Sequence, residues 1–217
     1  MDAHADAVKN VYQSTPYQAA GAALMRHDPS RSVIAHHYCT HLHGKNMHQC
    51  LIFDSDTPGA RLIGIEYVVP EETFQALDDE EKKYWHSHKF AAVADTAEIP
   101  AMTELQTTYG KTIHTWQYDI HPDFPLGPPQ LMMAYTADSQ IDQGLLAARD
   151  AEAGTNTAAK KEYRKTYLPT EGIEKMPLPG ADGWLSGKTV QFEPVEKEVV
   201  PKPDAGRSRV DGSVEKA

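Results

Sequence analysis

Histidine is the residue whose number and spacing first suggest chemistry in this chain of 217 residues. There are 11 histidines, and all but His4 lie from His27 to His121, several of them in tight groups. A neutral imidazole nitrogen is the commonest protein ligand for transition metals, because it donates at a pH where lysine is protonated. Histidines from separate elements that point into one cavity would therefore form a metal site.

The first group of histidines lies in Arg31–His43, which alternates in character as a strand does. Residues two apart on a strand point to the same face, roughly 7 Å apart. His37, Cys39 and His41 therefore share one face and His36 points to the other. We take His37 and His41 as candidate ligands. We expect Cys39 to be a small core residue, and ligation is the alternative.

Three more candidate ligands follow later in the chain. Asp78 has the form of an N-cap that opens a helix toward His86 and His88. If that helix continues, the two imidazoles diverge, whereas an extended chain lets both converge on one site. The sequence leaves these two cases open. His114 lies on the apolar face of a predicted strand and is a further candidate.

Glu66 is a carboxylate inside the otherwise apolar strand predicted for Arg61–Val69. A buried carboxylate is costly unless it meets a cation, a metal or several donors. Glu66 is thus a candidate metal ligand, an orienter of ligands or a catalytic general base, with pairing to Arg61 or the capping of a loop as the alternatives. The predicted metal ligands are five histidines: His37, His41, His86, His88 and His114.

These donors suit zinc, iron, copper or manganese, and the sequence does not choose among them. An ion with an open coordination position would activate water or dioxygen, in a hydrolytic or oxidative enzyme, and a filled one would be structural. The alternative is that each histidine is structural, since a buried histidine is more often hydrogen-bonded than metal-bound.

The elements that must position these side chains predict an α+β fold. Three predicted strands, two short helices and two further strands favour an antiparallel sheet with helices packed to one side. Two of the strands flank the turn Thr57-Pro58-Gly59 and predict a hairpin. The expected organisation is a helical N-terminal lead-in over 1–30, an α+β domain over 31–190 and a flexible or extended C-terminal arm over 191–217.

Composition narrows the function classes. The formal net charge of -10 disfavours nucleic acid as a partner. No apolar run approaches the roughly 18 residues of a transmembrane helix, and the acidic N-terminus does not resemble a secretory signal. Cys39 and Cys50 are too few for a disulfide framework, so the expectation is reduced cysteines in a cytoplasmic setting. No serine-hydrolase elbow, P-loop, dinucleotide fingerprint or His-Glu-x-x-His motif is present.

Longer motifs along the chain carry a family resemblance. They are His36-His37-Tyr38-Cys39-Thr40-His41, Phe53-Asp54-Ser55-Asp56, Ala60–Tyr67, Trp85-His86-Ser87-His88, Tyr109-Gly110-Lys111-Thr112 and Pro125–Met133. Together they resemble the oil-body-associated protein family, a family of unknown function with plant, fungal and bacterial members. The resemblance runs from about Arg31 through Lys188. His43 and His48 depart from the family's pattern, so we expect both at the surface.

The resemblance implies lipid bodies as a location, and a lipid-body surface or lipid-body proteins as partners. It implies no particular reaction or metal. A non-enzymatic lipid-body or interaction protein with structural histidines is therefore the alternative to a metal-binding protein. The predicted arm after residue 190 would also allow a homo-oligomer, if it reaches a neighbouring subunit.

Overall fold

A computed structural model of the chain describes residues 20–28, 31–42, 46–89, 94–95, 104–135, 138–152, 154–168 and 177–199. Within these ranges the strands are β1 (Ala20–Asp28), β2 (Arg31–His41), β3 (His48–Phe53), β4 (Leu62–Pro70), β5 (His86–Ser87), β6 (Ala94–Asp95), β7 (Thr108–His114) and β8 (Gln130–Ala134). The helices are α1 (Glu71–Gln75), α2 (Asp79–Lys82), α3 (Gln143–Glu152) and α4 (Thr157–Arg164). Short 3-10 turns occur at Asp138–Gln140 and Gly183–Ser186.

All eight strands belong to one sheet, and each observed pairing is antiparallel. The order is β2-β3-β4-β7-β8-β1-β6, with β5 paired to β7. Because β1 also pairs with β2, six of the strands close on themselves and enclose an interior. The predicted α+β class with an antiparallel sheet is confirmed, and so is the hairpin, which β3 and β4 form.

The N-terminal lead-in that we predicted as helical is a strand where the structure describes it. Residues 20–28 form β1, which pairs with β2, β6 and β8. Alanine has the highest helix propensity, but that preference is worth less than about 1 kcal/mol per residue, and hydrogen bonds to strands on both sides outweigh it. The prediction for residues 1–19 lies outside the described residues.

An aromatic cluster fixes the segment that leads into β5. Val69, Phe74, Trp85 and Tyr109 are buried together, and the rings of Phe74 and Tyr109 stack with centroids 4.0 Å apart. Asp78 caps α2 as predicted, accepting a hydrogen bond from a backbone N–H of the first turn at 2.8 Å. The helix ends at Lys82, so the chain is free to extend before β5.

The first residues of the predicted C-terminal arm are tied to the sheet by one side chain. Residues 188–199 have no regular structure and are mostly exposed. The side-chain amide of Gln191 donates to the carbonyl of Leu131 and accepts from its backbone N–H, each at 3.0 Å. Residues 200–217 of the predicted arm lie outside the described residues.

Candidate metal site

One row of paired residues crosses five strands and carries the central carboxylate. Cys39 pairs with Cys50, Cys50 with Glu66, Glu66 with Thr112, and Thr112 with Met132. Residues paired across neighbouring strands point to the same face of a sheet. Cys50, Glu66, Thr112 and Met132 are buried, so this face is the interior one.

Both carboxylate oxygens of Glu66 have partners. Oε2 lies 2.9 Å from Nδ1 of His37, and Oε1 accepts a hydrogen bond from the hydroxyl of Thr112 at 2.8 Å. Oε1 also lies 3.3 Å from Nε2 of His86 and 3.5 Å from Nε2 of His88. Arg61, the alternative partner of Glu66, pairs instead with Asp54 at the hairpin turn. Glu66 is thus the point at which three predicted histidine ligands meet.

His86 and His88 converge because the chain is extended at this point. β5 pairs with β7 through His86–Gly110 and Ser87–Tyr109. Residues on either side of Ser87 therefore point the same way, and the two imidazole rings make an edge contact with centroids 5.1 Å apart. Of the two cases that the sequence left open, the structure shows the converging one.

Asp182 fixes the position of β5 by hydrogen bonds to Ser87. Its carboxylate accepts hydrogen bonds from the backbone N–H of Ser87 at 2.8 Å and from the Ser87 hydroxyl at 2.7 Å. The backbone N–H of Asp182 donates to the carbonyl of Trp85 at 3.0 Å. Burial raises the pKa of Asp182, against the lowering effect of the Ser87 bonds. A residue distant in sequence thus fixes the orientation of His86 and His88.

Gly110 leaves open the space around which the candidate ligands converge. A Cβ atom built on Gly110 would collide with Oε1 of Glu66, and would lie 2.7 Å from Nε2 of His86 and 2.8 Å from Nε2 of His88. These three atoms therefore surround one point directly above the Gly110 backbone. We call Glu66, His86 and His88 the carboxylate–imidazole group.

The electrostatic environment keeps Glu66 ionised. Burial by itself would raise the pKa of Glu66. The charge and hydrogen bond of His37, with the hydrogen bonds of His86 and His88, outweigh burial and hold that pKa well below its usual range. The ionised carboxylate is therefore stabilised by a cation at this point, either a protonated imidazole or a metal ion.

The hydrogen bonds of His88 identify its tautomer. The hydroxyl of Thr108 donates its proton to the carbonyl of Leu105 at 2.6 Å, so it can only accept from Nδ1 of His88, 2.7 Å away. Burial lowers the pKa of His88 more than Glu66 raises it. A neutral ring with its proton on Nδ1 offers the lone pair of Nε2 to a metal ion, whereas a protonated ring donates from Nε2 to the carboxylate oxygen of Glu66, 3.5 Å away.

Two of the predicted ligands lie outside this cluster. The ring of His41 contacts that of its strand partner His48, with centroids 5.0 Å apart. The ring of His114 lies over Gly64 and 5.6 Å from the ring centroid of Tyr118. Among the described residues, neither His41 nor His114 belongs to a group of three converging ligand atoms. His48, which we expected at the surface, is half-buried because its strand lies between β2 and β4.

His36 lies on the opposite face from His37, as predicted. Its Nε2 is 3.5 Å from a carboxylate oxygen of Glu152 in α3. The strand alternation therefore separated these adjacent histidines correctly: one enters the cluster and the other contacts a helix outside it.

Cys39 and Cys50 are joined by a disulfide, which corrects our expectation of reduced cysteines. They are directly paired on β2 and β3, and their Cα atoms lie 4.0 Å apart. The number of cysteines was a poor guide here because the pairing of the strands decides whether two thiols meet.

Sequence reasoning also missed four supporting residues. Thr108, Gly110 and Thr112 depend on strand pairing, and Asp182 depends on a contact between residues distant in sequence.

Together, these features describe an α+β protein whose closed antiparallel sheet encloses a carboxylate surrounded by histidines. A family model described as "Protein of unknown function (DUF1264)" matches residues 11–168. The chain is 39% identical to "Oil body-associated protein 1A" of Zea mays over 194 residues, which cover 84% of this chain and 78% of that protein. It is 38% identical to "Oil body-associated protein 2A" of Arabidopsis thaliana over 189 residues, 82% and 74% of the two chains.

The chain therefore belongs to the DUF1264 family, which includes these oil body-associated proteins. No solved structure matches it. Within the part of the chain that the structure describes, no helix is long and apolar enough to span a membrane.

Proposed function

We propose that the chain binds a transition-metal ion between Glu66, His86 and His88. The observation that carries the proposal is the convergence of one carboxylate oxygen of Glu66 with a ring nitrogen of each histidine, all within 4.8 Å of one another and above the open space at Gly110. A buried carboxylate is costly without a cation or several donors, and a metal ion at this point would meet all three ligands. Nε2 of His86 lies on the same side, 3.3 Å from the same oxygen.

The donor set and its supports agree with such a site. Two imidazoles and one carboxylate suit zinc, iron, copper or manganese, and three protein ligands leave a position open for water. His37 and Thr112 hold the carboxylate, while Thr108 fixes the tautomer of His88. Metal ligands in proteins are commonly oriented by hydrogen bonds of this kind. Glu66 is a ligand in this proposal, and its role as a catalytic base stays a prediction.

A titration with Zn²⁺, Mn²⁺ and Co²⁺ tests the proposal on the full chain after treatment with a chelator. Wild type should take up a metal ion, and the double variant His86→Gln/His88→Gln should lose at least about tenfold in affinity. The matched control is His41→Gln/His114→Gln, which removes two histidines outside the carboxylate–imidazole group and should leave the affinity within about twofold. Absence of binding to wild type, or equal losses in both double variants, would contradict the proposal.

We further propose that the chain associates peripherally with a lipid-body surface. The names of its relatives point to this location, and an exposed apolar loop between β7 and β8 supplies a contact surface. Phe124 is 68% exposed, Ile120 51% and Leu126 50%. Gln117 organises the loop, since its N–H donates to the carbonyl of Leu126 at 3.0 Å and its own carbonyl accepts from the N–H of Ile120 at 3.1 Å.

The loop's charges indicate which surface it fits. Asp119 and Asp123 flank the apolar side chains, and the whole chain has a formal charge of -10, so an anionic lipid surface would repel it. A neutral monolayer over triacylglycerol avoids this repulsion. Burying two such side chains contributes about 3 kcal/mol, which supports reversible attachment only.

Flotation with artificial droplets tests the attachment. Wild type should float with triacylglycerol droplets coated in phosphatidylcholine, and less with droplets that also contain an anionic phospholipid. Phe124→Ser/Leu126→Ser should reduce the floating fraction at least about fivefold. The control Tyr163→Ser/Leu185→Ser removes two equally exposed apolar side chains elsewhere and should not. Wild type that stays entirely in the soluble fraction would refute the attachment.

A further inference from the structure

The Cys39–Cys50 disulfide lies against the candidate metal site. Cys50 pairs with Cys39 on one side and with Glu66 on the other. Its Sγ atom, a ring nitrogen of His37 and a carboxylate oxygen of Glu66 all lie within 4.8 Å of one another. This second group of three potential ligands shares Glu66 with the carboxylate–imidazole group, but its sulfur is held in the disulfide.

His37 has a second ring nitrogen available to coordinate a metal ion in this group. Nδ1 of His37 is hydrogen-bonded to Glu66, while Nε2 is buried and has no hydrogen-bond partner among the residues that the structure describes. His37, Cys50 and Glu66 are all buried. A buried polar atom without a hydrogen-bond partner is unfavourable, and a metal ion bound to this nitrogen would remove that cost.

We infer that reduction of the disulfide converts Cys50 into a metal ligand, so that the reduced chain binds a thiophilic cation such as Zn²⁺ through Cys50, His37 and Glu66. A thiolate is a strong ligand for soft and borderline metals, whereas a disulfide sulfur is not. The inference rests on the proposed function because the two groups share Glu66. It adds a regulation: the redox state of one cross-strand bond decides whether sulfur is available at the site.

Solvent access decides which sulfur a reductant reaches. Cys39 is half-buried, whereas Cys50 is only 3% exposed. The thiolate of a dithiol reductant attacks Sγ of Cys39, the bond between the two cysteines breaks, and Cys50 leaves as a thiolate inside the site. The reductant's second thiolate then displaces Cys39 and closes the reductant's own disulfide. Two electrons and two protons pass in total from the dithiol to the two cysteines.

Two single variants separate the ligand role of Cys50 from the loss of the cross-link. Cys39→Ser and Cys50→Ser both remove the disulfide, but only Cys39→Ser leaves a thiol at the site. Full-length chains are reduced with dithiothreitol, freed of it by gel filtration under nitrogen, and titrated with Co²⁺ and Zn²⁺. Near-ultraviolet absorption from thiolate-to-cobalt charge transfer reports sulfur coordination, and chelator competition gives the affinity for Zn²⁺.

Reduced wild type and Cys39→Ser should show the charge-transfer absorption and bind Zn²⁺ more than about tenfold tighter than oxidised wild type. Cys50→Ser should show neither effect. If Cys39→Ser binds cobalt without that absorption, or if Cys50→Ser shows it too, the inference fails while the proposed metal site stands. If no form of the chain binds either metal, the proposed function fails together with it.

Discussion

Glu66→Gln should lower the affinity for Zn²⁺ by at least about 100-fold and cost the metal-free fold about 2 kcal/mol. Glutamine keeps the shape of the side chain but replaces one carboxylate oxygen by an NH₂ group. Oε2 accepts from His37 and Oε1 accepts from Thr112, so one of these buried donors loses its acceptor in the variant. The lowered pKa of Glu66 also predicts a loss of stability, because the folded chain favours the ionised carboxylate and glutamine has no charge.

The matched control for this change is Glu71→Gln. Glu71 lies at the start of α1, is partly exposed, and contacts Lys89 at 3.2 Å outside the cluster. Lys89 is 11% exposed and Glu71 43% exposed, and losing a partly exposed pair of this kind should cost about 1 kcal/mol. Zinc affinity should stay at the wild-type value in Glu71→Gln. Calorimetric titration and chemical unfolding of both variants make the comparison, and a folded Glu66→Gln chain with wild-type zinc affinity would contradict the metal site.

Local patterns in the sequence were sufficient for the parts of the site that depend on one element. Strand alternation placed His37 and His36 on opposite faces, and the unusual position of Glu66 in an apolar strand marked it as a residue in need of partners. The turn between β3 and β4 fixed the hairpin. Each of these predictions rests on a period of two residues or on a short turn, which a single sequence displays directly.

The convergence of separate elements could not be read from spacing. Four of the six predicted site residues meet because of how the strands pair: β2 with β3, β3 with β4, β4 with β7, and β7 with β5. These pairings bring the four side chains together on one face of the sheet. His41 and His114 have the same strand spacing as the members of the cluster. His114 even lies in the same row of paired residues as His37, through Ile52 and Gly64, so spacing alone could not separate the two groups. The strand at Ala20–Asp28 and the disulfide likewise depend on partners distant in sequence.

Gly110→Ala should abolish detectable Zn²⁺ binding and destabilise the chain by about 3 kcal/mol. Its Cβ would occupy the point that Glu66, His86 and His88 surround, with the imidazole nitrogens 2.7 and 2.8 Å away. These side chains are buried, so they cannot move aside without disturbing the sheet. The added methyl group therefore separates the ligand atoms while leaving every ligand residue in the sequence.

A second glycine in the same sheet provides a control, which distinguishes blocking of the metal site from destabilisation by overpacking alone. A Cβ on Gly64 would lie 2.6 Å from the carbonyl of Ile113 and 2.8 Å from the ring of His114, outside the carboxylate–imidazole group. Gly64→Ala should thus lose a similar amount of stability and keep the zinc affinity of its folded fraction. Thermal unfolding measures the first quantity and zinc titration at low temperature the second. Equal zinc affinities in folded Gly110→Ala and wild type would show that the metal does not bind where these three side chains converge.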